Sequence, residues 1–489
     1  MQIMKVFLYV FLLFTFLPHC LGKELNLYEA LNLYVYNTAY VKRERLAFEN
    51  TLIEYDIFKK SLLPSLSLNL TPVSFNHSMR LLQNYSTGEY CNIEEYSNTI
   101  SGGVNISQKV PLTGGLFMIG SNLSFLNEYS NKKQNFSSTP LYLSYTQPLF
   151  GGRKSMSIEK ALYELRNNVA IKEFCTSVSA EQQKILALYL DAYSNKIDIS
   201  IYSKMVNIGD SLLAHTKIRK EVGKVTDYEY NQVELQQLDN QIALEKALYA
   251  YQNSIRLLEN ELSLFEIELE ELPKTNFPML INDEKILELV HRNNPQYQKL
   301  EIEHLNAEYT LHLAKTNNRF NADISLSYGL NQYATSFKEV YHRPNQQQTA
   351  SVTFNIPVFQ WGVTRKKLKI AQNEYDEVLL EQEYAMKNFK KEIKDNVFEY
   401  NISRELIDIA DRKYHLSTQQ YLFASQKFKL GKIAAIELTN ANKDVLQAKQ
   451  NYISVLKSLF ISYYKIRHIT LYDFIENKDL ADLIQTSFL

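Results

Sequence analysis

With 489 residues, 53 Lys and Arg against 54 Asp and Glu, and a net charge of −1, the chain has room for two or three ordinary domains and no basic surplus to hold nucleic acid. Tyr (34) and Phe (25) are abundant beside a single Trp, which suits a large core or aromatic girdles at a membrane interface and decides neither. Past residue 22 no stretch of about 20 apolar residues occurs, so a membrane could be crossed only by strands.

Residues 1–22 have the form of a secretory signal. Lys5 supplies the positive end, Val6 to Leu17 the apolar run, and Cys20-Leu21-Gly22 the small residues before cleavage at Lys23. Cys20 leaves a lipidated alternative open, although His19 stands where a small residue is expected; plain cleavage is the preferred reading. Cys91, in an expected loop, and Cys175, in an expected helix, make no disulfide framework.

From Lys23 to Leu63 the pattern predicts helix, with a counterpart from Ile281 to about Arg319. Each gives way to period-two alternation. Leu66, Leu68 and Leu70 alternate with Ser67, Asn69 and Thr71; Ile324, Leu326, Tyr328 and Leu330 alternate with Ser325, Ser327, Gly329 and Asn331. Such alternation marks strands with one greasy and one wet face. Strands are expected at about 64–76, 100–110, 116–129 and 139–150, then at about 322–332 and 350–360. The returning strands end in matched corners, Gln147-Pro148-Leu149-Phe150-Gly151-Gly152 and Ile356-Pro357-Val358-Phe359-Gln360-Trp361-Gly362, with each proline near the strand end. The runs near 100–110 and 116–129, joined by Pro111-Leu112-Thr113-Gly114-Gly115, have no counterpart in the second half. They read as an inserted hairpin flanked by polar loops, Asn76 to Asn98 and Ser130 to Ser138. The hairpin either adds two strands per subunit to a barrel or forms an accessory element.

Beyond each corner lies a long helix. Every seventh residue from Leu379 is apolar: Met386, Ile393, Tyr400, Ile407, Tyr414, Tyr421 and Phe428. Small or polar residues stand three further on (Asn396, Ser403, Ala410, Ser417, Ala424), giving a thin seam. At about 1.5 Å per residue the helix from 363 to 430 is roughly 100 Å long. Moving back 208 residues gives Ile171, Val178, Ile185, Ala192, Ile199, Val206 and Leu213, and carries Gly431 onto Gly223. Return helices follow, with Leu438, Val445, Tyr452, Leu459 and Ile466 over Tyr230, Gln237, Leu244, Tyr251 and Leu258. The shared phase and stop signal define a duplication. It comprises a first repeat at 23–272, a linker at 273–280, a second repeat at 281–476 and a polar, peripheral tail at 477–489.

These motifs in this order resemble the TolC family of outer-membrane efflux proteins. The resemblance is carried by Leu27-x-Glu29-Ala30-Leu31, Pro64-Ser65-Leu66-Ser67-Leu68, the Gln147 to Gly152 corner, Val222-Gly223-Lys224, Leu430-Gly431-Lys432 and Leu446-Gln447-Ala448. It implies an α plus membrane β-barrel fold from two tandem repeats of helix, strands, long helix and helix. Three copies would form one shared β-barrel in the outer membrane of a Gram-negative bacterium and a long α-helical periplasmic barrel. It further implies a passive channel of a tripartite efflux or type I secretion system, a homotrimer set in outer-membrane lipid. A periplasmic adaptor (membrane fusion) protein and an inner-membrane transporter would be its partners, with no cofactor. Independently, one subunit has too few strands to close a barrel; four per copy would give twelve in a trimer and six would give eighteen.

The resemblance implies adaptor docking at Val222, Gly223, Lys224, Leu430, Gly431 and Lys432. It places a cation-selective acidic ring at Glu437 and Asn440, with Glu229 the counterpart of Glu437 in the first repeat. Asn440 departs from the acidic pattern. Plain alternatives are that the glycines only permit a turn and that Glu437 sits on a solvated helix face. Enzyme readings find no support: the histidines are scattered, no Cys-x-x-Cys or His-x-x-x-His pair occurs, and the Gly-Gly pairs lack a following Gly-Lys. A secreted coiled-coil scaffold or adhesin is the alternative from another class.

Overall fold

A computed structural model describes residues 23–488 apart from 84, 85, 131, 274–276, 319, 357 and 431. The expected signal segment, Pro357 and Gly431 therefore lie outside the described residues. In chain order the elements are β1 Lys23–Leu25, α1 Leu27–Asn32, α2 Ala39–Ser61, β2 Ser65–Gln83, β3 Tyr90–Val110, β4 Gly115–Glu128, β5 Lys133–Pro148, α3 Gly152–Glu221 and α4 Asp227–Leu262. There follow β6 Ile267–Leu269, α5 Asp283–Asn293, α6 Gln296–Asn317, β7 Asn321–Ala334, β8 Asn345–Asn355, α7 Val363–Lys429 and α8 Ala435–Thr470. The short β9 Tyr472–Asp473, β10 Lys478–Asp479 and α9 Leu480–Phe488 complete the chain. Two compact units arise, one from residues 49–170 and 296–386, the other from the remaining described residues.

The first of these units holds one six-stranded antiparallel sheet in the order β2-β3-β4-β5-β7-β8. Alternation along each strand and register between strands agree, so side chains sort onto two faces. One cross-strand row reads Leu66, Ile106, Ile119, Leu143, Tyr328 and ends on Gln348 in β8. The row beside it, on the other face, reads Ser65, Ser107, Met118, Ser144, Ser327, Thr349. On the greasy face Leu66 (71%), Leu68 and Leu70 are largely exposed, as are Val352 and Phe354 at the opposite edge. On the polar face the Tyr142 hydroxyl reaches Asn105 Oδ1 at 3.3 Å, lying across Gly120, where any Cβ would strike the ring.

The inserted hairpin is part of this sheet, and the flanking segments expected as polar loops are largely strand. β2 and β3 pair as far as Gln83 and Tyr90, and β5 starts at Lys133. Alternation vanishes there while backbone pairing continues, because a ladder needs only N–H and C=O groups. Cross-strand contacts reinforce it: His77 Nε2 lies 2.7 Å from Glu94, Arg80 Nε 2.8 Å from Glu95, and Phe75 meets Tyr96 edge to face. At the corners Gly151 (φ +79°) and Gly362 (φ +75°) adopt the left-handed turn before α3 and α7.

The second unit is helical. Its core gathers Leu25, Leu31 and Val35 with Phe174, Val178, Ile185 and Tyr189 of α3, Leu258 and Leu262 of α4, and Phe460 of α8. The expected single opening helix is broken. Lys23–Leu25 is instead a strand paired in parallel with Ile267–Leu269, a contact between residues too distant in sequence to be read locally. Tyr189 fixes it by donating its hydroxyl to the Leu25 carbonyl at 3.0 Å. In the counterpart, Pro295 separates α5 from α6.

The seven-residue ruler falls on buried positions Val178, Ile185 and Ala192 in α3, and on Ile393, Tyr400 and Ile407 in α7. Ser403 and Ala410 are buried beside them, as a thin seam requires. Further along α3, Ile201 and Leu212 take over while Ile199, Val206 and Leu213 are only half-buried. A helix of 3.6 residues per turn drifts off a repeat of 3.5.

The last segment is not peripheral. Leu480 (1% exposed) and Ile484 join the core, and Asp473 is buried with Arg467. Arg467 Nε donates to Asp473 Oδ2 at 2.9 Å, its Nη1 to Gln182 Oε1 at 2.6 Å, and Tyr463 donates to Asp473 Oδ1 at 2.8 Å. Two buried apolar residues in α9 suffice to dock it, and the polar composition around them conceals this.

Candidate functional site

α3 and α4 meet in a turn whose geometry follows from its residues. Gly223 takes φ +68°, its N–H donates to the Lys220 carbonyl at 2.9 Å, and Lys224 N–H donates to Arg219 at 2.9 Å. These two bonds satisfy the terminal carbonyls of α3, and the left-handed residue between them favours glycine. Thr226 then opens α4. Its hydroxyl accepts from Glu229 N–H at 3.2 Å, and the Glu229 carboxylate accepts from Thr226 N–H at 2.9 Å, a reciprocal cap. The Thr226 backbone and hydroxyl together hold the Glu229 carboxyl below its usual range. Lys220 Nζ adds an ion pair to Asp227 at 2.6 Å and lies 4.5 Å from the Tyr230 ring centre.

The chain between α7 and α8 shares one hydrogen bond with the first turn and lacks its cap. Lys432 N–H donates to the Lys427 carbonyl at 2.9 Å, the equivalent of the Lys224 bond. The place of Thr226 is taken by Ala434, which has no hydroxyl and makes no side-chain cap. Glu437, the equivalent of Glu229, is exposed, and its carboxylate has no hydrogen bond or ion pair among the described residues. Asn440 is exposed one turn further on. Of the three residues, Glu229 is committed to its own turn, Asn440 is neutral, and Glu437 alone offers an uncommitted charge.

The helices bearing the two turns lie side by side. The Arg219 guanidinium sits 5.7 Å from the Phe428 ring centre, a cation–π contact between α3 and α7. Nearby, Leu212, His215, Arg219, Tyr421, Phe428 and Leu438 line a groove of about 520 Å³. Val222 (62% exposed) and Leu430 (69%) project at equivalent positions, with Lys224 and Lys432 exposed beside them. A second equivalent pair, Tyr228 (74%) and Ile436 (50%), is exposed just beyond. The sequence reading missed that pair, although the offset of 208 residues that links Gly223 to Gly431 also links them.

No group of His, Cys, Asp or Glu suited to a metal ion exists among the described residues, and no described helix is long and apolar enough to cross a membrane. Solved structures of outer-membrane channels share this fold. The Campylobacter jejuni CmeC outer membrane channel is similar with a TM-score of 0.66 at 15% identity, over 94% of this chain and 89% of that one. The VceC outer membrane protein of Vibrio cholerae gives 0.64 at 11%, over 91% and 95%. The open state of the Neisseria gonorrhoeae MtrE outer membrane channel gives 0.61 at 13%, over 91% and 88%. Residues 286–470 match the family model for outer membrane efflux proteins. No curated relative matches the sequence.

Proposed function

We propose that the chain is one protomer of an outer-membrane efflux channel. Three copies close a shared β-barrel in the outer membrane, their helices continue as a duct in the periplasm of a Gram-negative cell, and cargo passes without a catalytic step. The observation that carries this reading is the one-sided sheet. A greasy face that a single chain leaves bare, backed by a face of Ser, Thr and Asn, suits lipid on one side and water on the other. The strand edges at β2 and β8 need further copies.

The paired turns form the periplasmic end in this reading. A periplasmic adaptor docks on Val222, Gly223, Lys224, Leu430, Gly431 and Lys432, extended by Tyr228 and Ile436, and links the duct to an inner-membrane transporter. Three copies of Glu437 around the threefold axis attract cations and repel anions; Asn440 adds no charge. The test is recovery and conductance. The full chain should be recovered with outer membranes as a trimer and give discrete conductance steps in planar bilayers. A soluble single copy without conductance overturns the reading and favours a secreted scaffold.

A further inference from the structure

We infer that the closed barrel has eighteen strands, three copies of six, with the hairpin β3–β4 built into its wall and β8 of each copy joined to β2 of the next. The inference rests on the trimeric reading above. It goes beyond it by fixing the composition of the wall and the surface through which copies meet.

The hairpin could be an accessory only if it stood apart from the other strands. It does not. β3 is registered with β2 at 17 residue pairs and β4 with β5 at 12. Both hairpin strands obey the two-faced rule of their neighbours: Val104, Ile106, Ile119 and Leu123 lie on the greasy side, Ser107, Asn105, Asn122 and Ser124 on the polar side. An element hanging in the lumen or above the membrane would have no reason to keep a lipid-facing row in phase with four other strands.

The foot of the hairpin is also fastened to the sheet-to-helix corner. Gln147 Nε2 donates to the Thr113 carbonyl at 2.9 Å, and the Thr113 hydroxyl meets the Tyr145 hydroxyl at 2.9 Å. Gly114 (φ +75°) lies so close to Gly152 that a Cβ would strike its backbone. Pulling the hairpin out would break both ladders and this anchor together.

What closes the wall is a second copy of the same chain. An even number of antiparallel strands leaves β2 and β8 running in opposite directions, so β8 of one copy meets β2 of the next in the same antiparallel sense. The two edges match face for face. Leu66, Leu68 and Leu70 alternate with Ser65, Ser67 and Asn69, while Val352 and Phe354 alternate with Ser351 and Thr353. Such a head-to-tail contact closes into a ring and leaves no unpaired edge. Because barrel diameter grows roughly linearly with strand number, the bore is about half as wide again as with four strands per copy, about twofold in area.

The full-length trimer in lipid nanodiscs, imaged by electron cryomicroscopy, should show eighteen strands in cross-section. As a second measurement, Asn105→Cys and Ser124→Cys in a Cys91→Ser background should react with a charged methanethiosulfonate in planar bilayers and lower the conductance, while Ile106→Cys and Ile119→Cys should not. A conducting trimer with a twelve-stranded wall, or one whose conductance ignores all four modifications, overturns the inference and leaves the channel reading standing. A chain that forms neither trimer nor conductance overturns both.

Discussion

Gln237 of α4 donates to Asp210 of α3 at 2.6 Å from a position where only 3% of its surface is exposed. The same amide donates to the Val206 carbonyl at 3.1 Å, and Asn240 extends the polar layer. Room for it comes from Gly209, since a Cβ there would collide with Gln237 Oε1. At the offset of 208 residues, Val445 and Ala448 stand where Gln237 and Asn240 do, and Ser417 where Gly209 does. Gly209→Ala should therefore lower stability by about 1–3 kcal/mol by displacing buried hydrogen bonds, with Gln237→Val restoring part of the loss. Thermal melts of the three variants check this.

The Arg467–Asp473 pair ties α8 to the closing segment. Burial works to raise the Asp473 carboxyl, but Arg467, the Glu476 and Ile475 N–H groups and Tyr463 together hold it below its usual range. Arg467→Met leaves a buried unpaired carboxylate and should cost about 3–5 kcal/mol. The double variant Arg467→Met/Asp473→Asn should lose less than the sum of the single changes, and denaturant titration of all three measures the coupling.

Two carboxylates set opposite pH trends. Burial, and hydrogen bonding to Glu261, push Glu181 from its usual 4.5 up to about 7. Between those values the unfolded chain has released the proton and the native chain has kept it, so stability falls as pH rises through the window and levels off above about 7. Asp473 has its native pKa below the unfolded one, so its contribution is complete above the unfolded value and is lost as pH falls through the native value. Glu181→Gln should flatten the melting temperature between about pH 4.5 and 7 while leaving the acid limb in place. A slope that survives this substitution refutes the assignment.

Glu437 and its missing cap give a paired experiment. Glu437→Gln should reduce cation preference in single-channel recordings, and unchanged selectivity counts against the ring. Ala434→Thr should rebuild the cap of Thr226 and Glu229, drawing the Glu437 carboxylate into the turn; helix capping of this kind is worth about 1 kcal/mol. Selectivity should fall in that variant too, although no charge is removed.

At the first turn, Gly223→Ala places a Cβ in open space but in a left-handed conformation. The cost should be about 1 kcal/mol, from backbone strain alone. Binding of an adaptor hairpin peptide should weaken more in Val222→Asp than in Gly223→Ala if the apolar projection carries docking.

Much of this was legible because it was local. The seven-residue stripe through Ile393, Tyr400 and Ile407 names the buried seam, and Leu66-Ser67-Leu68-Asn69 names a two-faced strand, since each period directly reports a side-chain direction. The outer parts of β2 and β3 were not legible, because their pairing is made by backbone groups that leave no side-chain pattern. The pairing of Lys23–Leu25 with Ile267–Leu269 was hidden by separation along the chain. The docking of α9 was hidden by composition, two buried apolar residues among polar neighbours. At the turns, Gly223 announced the bend, but the fate of Glu229 depended on Thr226 three positions earlier. The contrast with Ala434 acquires meaning only once the cap is seen.

The outer ladder of β2 and β3, from Ser74 to Gln83 against Tyr90 to Thr99, is carried by main-chain bonds, with His77–Glu94, Arg80–Glu95 and Phe75–Tyr96 as side-chain pairs across it. A ladder so built tolerates substitution at its remaining positions, because the main chain and not the side-chain sequence carries the pairing.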